Sequence, residues 1–241
     1  MQTPHLLVAV ATALASLMAT SVQAQTAIYP SVNPINITVP GAYKLMGNIS
    51  VAVGKVGLTV TVDNVTIDLN GHTITGSTRR CEQTQSAFEQ TCTLAFTANE
   101  NIPGIAGRDN LVVRNGSVQG FGIGVQFTGG GRAESLTLRH NQVGLSQRLA
   151  YPTTVSGMGG LQVSEVTAEF NQWGMQLSSA MVDRALVKSN QYGITAINGA
   201  FPVLVRNSFI VGSEVGLQFG IVDPSTRFTG NLYPTRSTVS F

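Results

Sequence analysis

The chain has 241 residues, 43% of them hydrophobic and 11% charged, with 26 glycines. That length and apolar content can bury one sizeable core, and the low charge with ample apolar residues argues against intrinsic disorder. A formal net charge of +2 is too small to mark a nucleic-acid binder, so no nucleic-acid partner is expected.

Residues 6–19 form an apolar, uncharged run of about fourteen residues, shorter than the roughly 20 that a membrane span needs. Ser21, Val22, Gln23 and Ala24 follow, with small residues where a signal peptidase cuts. A signal peptide over residues 1–24, cleaved after Ala24, is expected, although its first five residues lack Lys and Arg. A buried core helix is the alternative. The mature chain, 25–241, should be one domain, secreted or periplasmic, with no membrane span. Export makes a disulfide between Cys81 and Cys92 the expected pairing. It would close a polar loop and contribute about 2–3 kcal/mol in the chain-entropy view. Two Cys with two scattered histidines, His72 and His140, are too few for a zinc site, so no metal is expected.

Six segments beyond this point look alike: residues 65–70, 111–116, 136–141, 166–171, 185–190 and 203–208. Each begins apolar, any, apolar, charged, which is strand periodicity. The sixth position is a turn residue: Asn, Gly or, in the last, Ser208. A second element trails them, in which a glycine precedes an apolar and then a polar residue. Its glycines are Gly124, Gly144, Gly174, Gly193 and Gly216, at intervals of 20, 30, 19 and 23 residues. Self-similarity at this spacing, without helical periodicity, predicts an all-β solenoid, a parallel β-helix of about seven to nine coils. An antiparallel sandwich or propeller is the alternative. Long intervals place insertions at about 77–107, which holds both cysteines, and 147–160. Residues 223–241 break the pattern and are expected to cap the core.

Residues 63–76 (DNVTIDLNGHTITG) and 37–48 resemble bacterial exported right-handed parallel β-helix repeat proteins of the pectate-lyase-like superfamily. The resemblance spans residues 37–219 and implies a single-stranded, right-handed β-helix. It implies no single activity, since that superfamily holds lyases, glycoside hydrolases, epimerases and adhesins. The Asn-Thr-Asp, Asp-Asp and Gly-His-Gly motifs of its polygalacturonase-like hydrolases are absent; Gly71-His72 is followed by Thr73. So is the Asp-Pro-His of its alginate epimerases, because Asp223-Pro224 is followed by Ser225. Its pectate lyases hold calcium with several acids, and the aspartates here are thinly spread. No cofactor is therefore expected, and calcium is unsupported.

The fourth positions of the six segments are Asp68, Arg114, Arg139, Glu169, Lys188 and Arg206. Alternation is expected to place all six outward in one column. Arg114 would then adjoin Arg139, and Lys188 would adjoin Arg206, so an anion would relieve the repulsion. Arg114, Arg139, Lys188 and Arg206 are accordingly the candidate ligand-binding residues, and an anionic polysaccharide the candidate partner. Arg139 and His140 are the candidate catalytic bases should the protein eliminate across a uronate. A solvated face that keeps the solenoid soluble is the plainer reading. An outward polar ladder, Gln126, Ser146, Gln176, Thr195 and Gln218, could hydrogen-bond sugars. Trp173 and Tyr192 share one position and could form a platform for a sugar ring, or simply pack. The expected function is a non-catalytic exported protein that binds glycan or another surface partner, or is structural. The alternative is a polysaccharide lyase or related carbohydrate-active enzyme acting on uronate polymers.

Overall fold

The computed structural model describes residues 24–77, 79–83, 90–94, 101–148, 160–197, 203–236 and 239–240. The expected leader, except Ala24, and most of the expected 147–160 insertion lie outside the described residues.

Among the described residues there are only strands: a 16-stranded sheet, a nine-stranded sheet and a separate two-stranded pair. Pairings within both long sheets are parallel, which excludes the antiparallel sandwich and propeller. Long parallel sheets of short strands are compatible with a parallel β-helix. The chain path repeats. Gly131–Arg139 lies in the larger sheet and Val143–Gln147 in the smaller. The next repeat sends Leu161–Ser164 and Thr167–Glu169 to the larger sheet and Trp173–Leu177 to the smaller. Each repeat thus supplies two strand segments to one sheet and one to the other.

Alternate side chains on each strand face the core. One inward row runs Ile67, Val113, Ala133, Val163, Val182, Val205 across successive repeats. A second runs Val125, Leu145, Met175, Ile194, Leu217. All are buried, as are Val65, Leu111 and Leu136. Each large aliphatic side chain so placed contributes about 1.5–3 kcal/mol.

Between strands the chain turns through left-handed backbone. One corner row is Asn115, Ser135, Glu165, Arg184 and Asn207; another holds His140, Phe170 and Ser189, all with positive φ. In five of the six similar segments this is the fifth position, not the sixth where a turn residue was expected. The sixth position instead turns inward. Asn141, Asn171 and Asn190 are buried and stack in a ladder. Asn141 N–H donates to Asn171 Oδ1 (3.0 Å), and Asn171 N–H donates to Asn190 Oδ1 (2.9 Å). Their amide Nδ2 groups donate back to Val118, Leu138 and Ala168 carbonyls at 3.1, 2.9 and 2.9 Å. Buried corner amides therefore satisfy backbone that the strand ladders cannot reach. Ser213 replaces asparagine in the next repeat, and its buried Oγ has no partner. Asn231 resumes the ladder, accepting from Ser213 N–H at 2.9 Å.

The spaced glycines also form a row. A Cβ on Gly124, Gly144 or Gly174 would sit 2.5 Å from the carbonyl oxygen of the next glycine in the row, and on Gly193 only 2.3 Å. The backbones approach too closely there for any side chain.

The excursion at 77–107 is shorter than expected. Arg79–Gln83 and Gln90–Leu94 pair antiparallel, with Cys81 opposite Cys92, while Pro103–Gly107 already belongs to the nine-stranded sheet. Within the expected C-terminal cap, Arg227–Thr229, Tyr233–Arg236 and Val239–Ser240 extend both long sheets.

Candidate functional site

The six charged positions fall into two rows. Arg114 pairs in register with Glu134, and Arg139 pairs with Gln119. The first row is Lys44, Asp68, Arg114, Glu134, Ser164, Asp183, Arg206. The second is Thr75, Gln119, Arg139, Glu169, Lys188, Val211. Arg114 does not adjoin Arg139, nor Lys188 Arg206, because a left-handed corner separates the two strands of each repeat. The expected like-charge contacts do not exist.

Most of these cations are already neutralised. Arg114 Nε lies 3.2 Å from Asp68 Oδ2, Lys188 Nζ 2.9 Å from Glu169 Oε2, and Arg206 Nε 3.1 Å from Asp183 Oδ1. The first and third are the same device built twice. Asn115 and Asn207, at equivalent corners, donate their amides to Asp68 and Asp183. The Asn207 amide, helped by Arg184 and Arg206, holds the Asp183 carboxyl below the usual carboxylate range against the opposing effect of burial. Arg139 is in no ion pair among the described residues; its Nε donates to Gln119 Oε1 at 2.7 Å. His140 sits at the corner, its ring stacked on Phe170 with centroids 5.6 Å apart. Arg139 ends its strand and His140 occupies the corner that follows it.

Trp173 and Tyr192 do share a row, in register and stacked at 5.6 Å with planes 12° apart. Their faces lie against each other along the stack, whereas a sugar ring needs an open face. The ladder of Gln126, Ser146, Gln176, Thr195 and Gln218 is in register as expected. Ser146 is buried, so that row is not a continuous accessible polar surface.

A cleft of about 440 Å³ opens instead on the outer face of the larger sheet. Asn64, Thr66, Asn110, Val112, Arg132 and Gln162 line it. Thr66, Val112, Arg132 and Gln162 are one outward row crossing four repeats, about 14 Å at the 4.8 Å spacing of paired strands. Asn110 Nδ2 donates to Asn64 Oδ1 at 3.1 Å. Arg132 is largely exposed, with Nη1 3.7 Å from Glu134 Oε1, too far for a tight pair. One guanidinium, three amides and a hydroxyl thus line the cleft together with the apolar Val112. None of these residues was a sequence candidate. The Asp-Asn pair before two strands, Asp63-Asn64 and Asp109-Asn110, was a visible signal; Arg132 and Gln162 had none.

Among the described residues, no group of three or more His, Cys, Asp or Glu could hold a metal ion. No helix there is long and apolar enough to cross a membrane. No protein-family model matches the sequence, and no curated protein or solved structure matches it.

Proposed function

We propose that this chain is an exported, right-handed parallel β-helix of about seven to nine coils that binds an acidic glycan without transforming it. The cleft carries this reading. Amides and a hydroxyl suit sugar hydroxyl groups, Val112 suits the apolar face of a ring, and Arg132 suits a carboxylate. The ligand-binding role moves from Arg114, Lys188 and Arg206, which hold carboxylates of their own, to Arg132. Export rests on the apolar leader and the Ala24 cleavage site. Cys81 and Cys92, opposite one another across two antiparallel strands, form the disulfide of the mature protein. Its non-reduced mass should be two hydrogens below the dithiol mass.

Titration of acidic and neutral oligosaccharides against wild type and Arg132→Glu tests the reading. A charged hydrogen bond contributes about 1.5–3 kcal/mol, so affinity for the acidic ligand should fall about tenfold or more. Binding should weaken as salt rises. Equal affinity in both proteins, or preference for the neutral glycan, refutes it. A lyase would need a base beside a cation that neutralises the uronate. Incubation with alginate and pectate, with and without calcium, should yield no unsaturated product; if product accumulates, the non-catalytic reading fails.

A further inference from the structure

The row Thr66, Val112, Arg132, Gln162 crosses the strands with one residue per repeat, so a chain lying in the cleft meets a new repeat every 4.8 Å or so. That step is close to the length of one residue in an extended 1,4-linked sugar chain. A linear glycan can therefore set one sugar on each repeat. Of the described residues that line the cleft, Arg132 alone is charged. At the repeats of Thr66 and Val112 the polar wall is the Asn64–Asn110 pair. Their mutual bond still leaves an amide donor and a carbonyl acceptor, which suits hydroxyl groups, because these both donate and accept. A carboxylate brings acceptors only. It would also stand beside Asp63 and Asp109, the exposed residues that immediately precede the two asparagines.

The charges around the cleft do not favour a polyanion. Arg108 Nε, 3.6 Å from Asp63 Oδ1, offsets one of those two aspartates. The Asp68–Arg114 pair on the adjoining outward row is neutral. Glu134 stands 3.7 Å from Arg132 without lining the cleft. Among the described residues, these three arginines thus face four carboxylates, and no positive field gathers repeated negative charge. Residues 149–159, which lead into Gly160, carry no charge either. What Arg132 offers is a directed, bidentate hydrogen bond to one carboxylate. Given glycan binding at this cleft, on which the inference rests, we infer that the ligand is a linear heteroglycan with an isolated uronate and not a polyuronate. Its one carboxylate lies on Arg132, and neutral sugars lie on the repeats of Thr66 and Val112.

Calorimetric titration of the full chain with 1,4-linked tetrasaccharides carrying no, one or four C6 carboxylates, on glucose and on galactose backbones, tests it. The one-acid ligand, with its carboxylate on an inner sugar, should bind about tenfold tighter than the neutral one. It should also bind tighter than the four-acid ligand. Arg132→Gln should abolish the advantage of one acid over none. The double variant Asp63→Asn, Asp109→Asn should tighten the four-acid ligand about fivefold and leave the one-acid ligand within about twofold. Circular dichroism should show both variants folded as wild type. If the four-acid ligand binds wild type as tightly as the one-acid ligand, the isolated uronate is overturned while glycan binding stands. If none of the saccharides binds, both are overturned.

Discussion

Replacing Asn171 with alanine tests whether the corner amides hold the repeats together. Asn171 is fully buried and uses both ends of its amide. Its Oδ1 accepts from Asn141 N–H at 3.0 Å and from Asn141 Nδ2 at 3.3 Å. Its Nδ2 donates to Leu138 O at 2.9 Å and to Asn190 Oδ1 at 3.1 Å. The groups left behind are not equally harmed. Asn141 Nδ2 keeps Val118 O, and Asn190 Oδ1 keeps the Asn171 backbone N–H. The Asn141 backbone N–H loses its acceptor inside a dry corner. One such orphan costs about 1–3 kcal/mol, and each further lost bond about 1 kcal/mol net. With the orphan and three further bonds, the destabilisation is about 4–6 kcal/mol, a large part of the stability of an ordinary domain. Urea unfolding followed by circular dichroism, against wild type and Gln119→Ala, measures it. Gln119 accepts from Arg139 and donates to Thr75 Oγ1 on the outer face of the sheet, so that control should lose no more than about 1 kcal/mol. A loss below about 1 kcal/mol for Asn171→Ala would refute the view that the ladder is an obligatory acceptor for the corners.

The opposite change, Ser213→Asn, completes the interrupted ladder and supplies a partner for a corner where Ser213 Oγ has none; unfolding midpoints in urea should show a gain of about 1 kcal/mol. Gly174→Ala should destabilise by about 3 kcal/mol or more, because its Cβ meets Gly193 O at 2.5 Å and backbone cannot give way cheaply; soluble expression with wild-type melting would contradict this. Asp183 has a carboxyl pKa lowered by Asn207, so it stabilises the fold at neutral pH, and that contribution is lost as pH falls through the folded pKa. Asn207→Gly suits the left-handed corner but removes the amide, so stability measured across the acid range should depend less on pH than in wild type.

Much of this architecture was legible in the chain. Apolar residues at every second position, with Gly and Asn between them, specify strands, the face each buries and the stacking of repeats. Val65, Leu111 and Leu136 are in the core for that reason. Local pattern could not say which strand of a repeat a segment forms. Residues 111–116 and 136–141 share one pattern, yet Leu111 pairs with Gly131, and Gly116 with Leu136. Two strands of one repeat, each inward at alternate positions and each ended by a left-handed corner, look identical along the chain. Only pairing with neighbours about 20 residues or more away separates them, and that pairing split the single expected column of charge into two rows. The same non-local register gathered Asn64, Asn110, Arg132 and Gln162 around one cleft. Periodicity of two is a property of each strand, whereas the register between strands belongs to the packed core that all of them share.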